Sequence, residues 1–198
     1  MQRVLKTLIV TGALALVLAP VQARADGFFS PWIGSAFGAG YSVSGADIDN
    51  GQTTFGITAG GMGAGIIGGE LDFGYSPSHF GSKEVFGNNT VINLMGNVIV
   101  GVPVGGQSGA GIRPYVTAGV GLLRTQIDGG TFGNVTYKRN GFGWNAGAGV
   151  MGFFTDHVGL RGDLRYLRAI KETDFGFATS ENLGSLKFWR ASVGVVIR

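Results

Sequence analysis

The sequence predicts an all-β fold, an eight-stranded antiparallel up-and-down transmembrane β-barrel, on three observations. Apolar and polar residues alternate with period two along the chain after residue 25, the mark of strands with two unlike faces. The links between the alternating runs are long and short in turn, as in a meander with one ornate and one plain end. Glycine is extreme, at 38 of 198 residues against a usual ~7%. It follows no three-residue repeat, and aromatic and β-branched residues abound, which excludes collagen and low-complexity disorder.

The N-terminus carries its own signal. A basic start (MQRVLK) leads into TLIVTGALALVLA, an apolar run shorter than the ~20 residues of a spanning helix. Ala23-Arg24-Ala25 then has the small-x-small form of a cleavage site. The expected organisation is a signal peptide over residues 1–25, removed after Ala25, and a barrel domain over residues 26–198. Arg3, Lys6 and Arg24 lie in the signal, so 12 of the 15 basic residues remain to face 12 acidic ones. The basic balance belongs to export and gives no argument for nucleic-acid binding, and no basic patch with interleaved aromatics occurs. There are no cysteines, so an exported domain is held without disulfides. Two isolated histidines give no metal spacing. No catalytic set, cofactor or metal is expected. No later run is apolar for 18 residues, which excludes a helical membrane protein.

Eight segments read as strands. The first two are residues 31–39 (PWIGSAFGA) and 53–61 (TTFGITAGG). The third, residues 67–76, sets Leu71, Phe73 and Tyr75 against Glu70 and Asp72. The fourth, residues 90–101, sets Ile92, Leu94, Val98 and Val100 against Asn93, Met95 and Asn97. The fifth, residues 113–126, sets Val116, Ala118, Val120 and Leu122 against Thr117, Gly119 and Gly121. The sixth, residues 141–154, sets Trp144, Ala146, Ala148 and Val150 against Asn145, Gly147 and Gly149. The seventh, residues 158–168, sets Val158, Leu160, Leu164 and Tyr166 against Arg161, Asp163 and Arg165. The eighth, residues 186–198, sets Trp189, Val193, Val195 and Ile197 against Arg190. Long links follow strands one, three, five and seven: YSVSGADIDNGQ, PSHFGSKEVFGNN, IDGGTFGNVTYKRN and IKETDFGFATSENLGS. Short links, MGAGI, VPVGGQSGAG and TDH, follow the others. Strands of this length, tilted, span a hydrocarbon layer.

The polar faces decide which side is outside. A soluble barrel would crowd them with Lys, Glu and Thr; here they are small and mostly uncharged, as in a narrow lumen. Charges concentrate at Glu70 and Asp72, at Arg161, Asp163 and Arg165, and at Arg190, all with the parity opposite to their strand's bulky apolar residues. An arginine facing lipid at mid-bilayer costs ~2–4 kcal/mol, against a total stability of ~5–15 kcal/mol, so these groups are expected inward. The strand-seven arginines are expected to meet Glu70 and Asp72 across the lumen, with Asp163 between them, wherever facing strands offer glycine. Tyr75, Trp144, Tyr166 and Trp189 fall toward the loop ends of their strands and are expected to form an interfacial aromatic girdle.

RPYVTAGVGLLR, ELDFGY and GLRGDLRYL resemble the OmpA-like/OmpX-like superfamily of eight-stranded outer-membrane β-barrels, over essentially the whole segment after residue 25. The resemblance implies the barrel domain only, placed in the outer membrane of a Gram-negative-type bacterium. It implies outer-membrane lipid or lipopolysaccharide and the barrel-assembly machinery as partners, a monomer, and loops that contact host or other surface ligands. Such barrels usually end in an aromatic residue that the assembly machinery reads; this sequence ends in Arg198. The expected role is a non-enzymatic surface protein that anchors extracellular loops around a charged, plugged lumen. The alternative is a small porin-like channel through a lumen kept open by its glycines. A third reading is a lipid-modifying hydrolase at the outer rim, with His79 near Ser78, Ser82 and Glu84. His157, in a short link, reads as a turn residue. GAGIIG (63–68) and GAGVMG (147–152) match a dinucleotide-binding pattern but lack the following helix that would hold the pyrophosphate. They read as turn and lumen glycines.

Overall fold

A computed structural model describes residues 25–38, 51–77, 89–105, 109–128, 136–171 and 187–198. The strands are β1 (Ala25–Phe37), β2 (Gln52–Gly63), β3 (Ile67–Pro77), β4 (Asn89–Gly101), β5 (Gly111–Asp128), β6 (Thr136–Phe153), β7 (Val158–Lys171) and β8 (Lys187–Ile197). Each pairs antiparallel with its neighbour in the chain, and β1 pairs with β8, so the sheet closes as an eight-stranded barrel. Closure leaves no unpaired edge, which an unsheltered sheet in lipid could not tolerate.

Several strand ends differ from the sequence reading. β1 starts six residues before residue 31, because Phe28 and Ser30 continue its inward alternation. β5 and β6 run past residues 126 and 141 to pair as far as Asp128 with Thr136. Both ends of IDGGTFGNVTYKRN are therefore strand, favoured on the β6 side by the β-branched and aromatic Thr136 and Tyr137.

The three short connections and both barrel termini share one end; the four long connections leave the other. At the short β2–β3 link, Ala64 and Gly65 take φ of 50° and 69°, the left-handed pair of a tight hairpin. GAGIIG is thus a hairpin turn, and GAGVMG runs within β6.

The wall divides as its alternation predicts. Leu71, Leu94, Val98, Val116, Val120, Leu164 and Val193 are all exposed on the outer face, a surface suited to lipid rather than water. The inner face has three levels. Nearest the short turns lies an apolar layer of Phe28, Met62, Ile99, Tyr115, Met151, Phe153 and Val196. Nearest the loops lies a second, of Ala36, Val91, Met95, Leu123, Leu167 and Phe188. The charged residues occupy the level between them.

Glycine makes this filling possible. Large inward side chains sit in register with glycine on an adjacent strand: Met62 with Gly68, Glu70 with Gly60, Met95 with Gly121, Tyr115 with Gly149, Arg165 with Gly147 and Phe153 with Gly159. A Cβ at Gly147 would lie 2.7 Å from Arg165 Cγ, and one at Gly60 would lie 2.9 Å from the Glu70 Cβ. Large–small alternation lets a narrow barrel fill its interior. At these positions the neighbouring side chains occupy the space beside the lumen glycines.

Candidate functional site

The middle level brings three carboxylates and three guanidiniums together. Glu70 and Asp72 alternate inward on β3, Arg161, Asp163 and Arg165 on β7, and Arg190 on β8. Glu70 bridges both β7 arginines: its Oε2 accepts from Arg161 Nη2 at 2.8 Å and its Oε1 from Arg165 Nη2 at 2.6 Å. Asp163 holds the same two arginines from the other side, with Arg165 Nε at 2.6 Å and Arg161 Nη2 at 3.4 Å. Asp72 takes its nearest partner from β8. It pairs with Arg190 Nη2 at 2.8 Å, while Arg165 Nη1 lies 3.9 Å away and makes no hydrogen bond to it. Strand order explains this, because β1 and β2 alone separate β8 from β3 on that side of the barrel.

Neutral groups complete the set. Thr58 and Asn93 donate to Asp72 at 2.9 and 3.2 Å. Asn97 and Thr117 donate to Glu70 Oε1 at 3.2 and 3.1 Å. Tyr115 donates its hydroxyl to Asp163 Oδ2 at 2.6 Å and accepts from Arg161 Nε at 2.7 Å. Arg190 also lies over the Trp32 ring at 4.2 Å, and Arg161 over the Tyr115 ring at 4.9 Å. Such cation–ring contacts gain strength when desolvated. Glu70 and Arg165 are only 4% and 1% exposed. The space among Trp32, Thr58, Asp72, Arg161, Asp163, Arg165, Arg190 and Ser192 admits no water molecule. Arg161 Nη1, Arg165 Nη1 and the Nε and Nη1 of Arg190 nonetheless have no hydrogen-bond partner.

Tyr115, Trp32, Thr58 and the Asn93–Asn97–Asn145 group are site residues that the sequence reading did not single out as such. Parity would have found Tyr115, since it alternates with Thr117 on β5. Arg113 is a further buried inward cation, two residues before Tyr115.

Not every strand charge points inward. Arg124, Arg168 and Lys187 occupy outward positions and are exposed. They lie at the loop ends of β5, β7 and β8, where a charge on the lipid face costs only ~0–1 kcal/mol. Beside and below the last two, Trp144, Tyr166 and Trp189 form a run of rings, 5.6 Å and 5.2 Å between successive centroids. Tyr75 packs apart from them against Phe55, at 5.2 Å. His157 lies in the β6–β7 turn. Ser78, His79, Ser82 and Glu84 fall outside the described residues. Among the described residues no group of three His, Cys, Asp or Glu could hold a metal ion.

A family model described as "Outer membrane protein beta-barrel domain" matches residues 11–198. Among solved structures, Neisserial surface protein A is similar at a TM-score of 0.61 and 17% identity, with 86% of this chain and 96% of that chain covered. The N-terminal β-barrel domain of Pseudomonas aeruginosa OprF gives a TM-score of 0.52 at 17% identity, covering 88% and 98%. Ail, the attachment invasion locus protein of Yersinia pestis, gives 0.52 at 10% identity, covering 86% and 96%. At these identities the likeness is one of fold. No curated protein matches the chain by sequence.

Proposed function

We propose, for a chain that belongs to the outer-membrane protein β-barrel domain family, the role of a non-enzymatic surface scaffold. Its barrel is a sealed, monomeric anchor that holds four long connections outside the cell for envelope integrity or contact with other surfaces. The observation that carries this reading is the lumen: an ion-paired level, whose space between Asp72 and the three arginines has no room for water, between two apolar levels. A rigid, filled barrel supports loops well and conducts poorly. Export by a cleaved signal over residues 1–25 and insertion by the barrel-assembly machinery belong to the same proposal. The test is a planar-bilayer recording of the refolded barrel, residues 26–198. Insertion with heat-modifiable gel mobility and no current supports the scaffold; discrete steps in the wild type overturn it.

One observation favours a second reading, a narrow porin-like passage. The four unpartnered guanidinium nitrogens would be satisfied by water or an anion if the network opened. Steps that change anion preference when Arg165 or Arg190 is neutralised would establish that reading.

A further inference from the structure

We propose that Arg198 is the latch of an aromatic lid at the short-turn mouth of the barrel. It keeps the Phe153 ring seated over the turn-side layer and ties two of the short connections to the end of β8. The latch deepens the sealed-anchor reading and rests on it, since a filled barrel stays sealed only while both mouths are shut.

The lid is built from the β6–β7 link. Phe153 is the last residue of β6, points inward and is 5% exposed. It lies one inward step nearer the turn than Met151. In the link that follows, Thr155 Oγ1 accepts from the backbone N–H groups of His157 and Val158, at 3.2 and 3.0 Å, a side chain closing its own turn. That fixes the backbone at Asp156. The Asp156 carbonyl accepts from Arg198 Nε at 2.6 Å, and the Asp156 carboxylate accepts from the Gly109 N–H. Arg198 Nη2 donates to the Gly109 carbonyl at 3.0 Å, and the Arg198 backbone N–H donates to the His157 carbonyl at 2.9 Å. Gly109 has φ of 82°, a conformation open to glycine, and gives its donor to Asp156 and its acceptor to Arg198. One guanidinium thereby joins the β4–β5 link, the β6–β7 link and the end of β8. The same guanidinium lies over the Phe153 ring at 4.0 Å. A second, that of Arg113, lies 5.6 Å from that ring, and a Cβ on Gly65 would fall 2.7 Å from its Nη2. The β2–β3 turn therefore rests on the other cation beside Phe153.

The two mouths close by different means. Toward the loops the closure is apolar packing around the buried Leu167 and Phe188. Toward the turns it is completed by charge-assisted hydrogen bonds, made by a half-buried Arg198 to an exposed Asp156. Bonds open to water at their rim release at lower cost than a packed layer, so the turn-side mouth is the one that opens first.

The chain has no cysteine, so one introduced thiol reports alone. Met151→Cys places it one inward step below Phe153, and Leu167→Cys places it in the loop-side layer; both positions are fully buried. The refolded barrel in detergent micelles, with both mouths in reach, is labelled with a small water-soluble methanethiosulfonate. Arg198 lies beyond the last β7–β8 pair, Val158 with Ile197, so Arg198→Gln leaves the strand pairing intact. It is expected to speed labelling at Met151→Cys about tenfold or more, the effect of one lost hydrogen bond to a charged group on an opening equilibrium, and to leave Leu167→Cys unchanged. Asp156→Ala removes the carboxylate tie to Gly109 and is expected to give a smaller rise at the same position. Phe153→Ala removes the lid itself, so Arg198→Gln added to it is expected to bring no further rise. Unchanged labelling at Met151→Cys on Arg198→Gln overturns the latch alone, as does a full further rise on Phe153→Ala. An equal rise at both thiol positions overturns it as well, because that is general loosening. Fast labelling at both positions with Arg198 in place overturns the sealed lumen and the latch together. Heat-modifiable gel mobility checks that each variant is folded, and Arg198→Gln and Asp156→Ala test the latch from its two sides.

Discussion

Glu70→Ala is the most informative perturbation of the lumen. The carboxylate accepts from two guanidiniums, at 2.8 and 2.6 Å, and from Asn97 and Thr117. Thr117 keeps a second acceptor, the Val98 carbonyl at 3.1 Å, and Arg165 keeps Asp163 at 2.6 Å. Arg161 fares worst. Its Nη2 retains only the 3.4 Å contact with Asp163, and its charge stays buried. Breaking a buried pair from one side costs ~3–5 kcal/mol, a large share of a stability of ~5–15 kcal/mol. Glu70→Gln keeps the volume and one acceptor and is expected to cost about half as much, with the hydrogen bonds to Asn97 or Arg165 partly retained. The assay is urea unfolding of the barrel from lipid vesicles, followed by tryptophan emission. Glu70→Leu combined with Arg161→Met removes both partners, and apolar replacement of a buried pair is often close to neutral. The double variant is therefore expected to lose less than the sum of its singles. A Glu70→Ala shift below ~0.5 kcal/mol, within the range of an ordinary surface change, or strict additivity in the double variant, would refute the idea that these charges hold one another.

Three further outcomes follow from the same geometry. Gly147→Ala sets a methyl 2.7 Å from Arg165 Cγ and 2.5 Å from the Leu164 carbonyl, and is expected to cost ~1–3 kcal/mol by overpacking. Gly152, on the same strand, has nothing within 4 Å of the added atom, so Gly152→Ala should stay within ~0.5 kcal/mol; equal midpoints for the two would defeat the large–small pairing. Tyr115→Phe removes a hydroxyl that links Asp163 to Arg161 and is expected to lower unfolding free energy by ~1.5–3 kcal/mol, read from the same urea curves. Leu167→Ala empties a fully buried position in the loop-side layer at ~2–5 kcal/mol, whereas Leu164→Ala on the lipid face should cost much less, because lipid refills the space. Comparable losses at both sites would mean that the interior layer is not packed.

Strand number and facing were legible because alternation is local. Arg161, Asp163 and Arg165 declare their shared face within five residues of sequence. Their partners are another matter. Glu70 meets Arg165 across 95 positions, and only closure of β1 on β8 fixes which of Glu70 and Asp72 each arginine reaches. Closure adds Arg190 to Asp72 at 2.8 Å, beside the 3.9 Å ion pair with Arg165 that the charge pattern alone expected. The outward cations went unassigned for a similar reason. Parity is visible at Arg168 and Lys187, but their height on the wall is not, and height decides whether a lipid-facing charge costs several kcal/mol or almost none.

Glycine shows how composition and site are one problem. A chain with 38 glycines is expected to form a loose lumen if each glycine is taken as missing volume. Register reverses that inference. Because Gly60, Gly121, Gly147 and Gly149 sit beside Glu70, Met95, Arg165 and Tyr115, each absent side chain is the room that a neighbour needs. The guanidinium of Arg165 can lie across the lumen only because β6 offers no Cβ beneath its stem. Conductance should therefore not increase when a lumen glycine is enlarged, and it should increase when a paired large residue is removed. Met95→Ala together with Arg165→Ala takes side chains out of the loop-side layer and the charged level at once, leaving Gly121 and Gly147 without the chains that covered them. Current steps in that double variant, with none in the wild type or in Gly147→Ala, are the outcome that follows if packing seals the barrel. Silence from a double variant that still shows heat-modifiable mobility would mean that the turn-side layer of Met62, Met151 and Phe153 closes the barrel by itself.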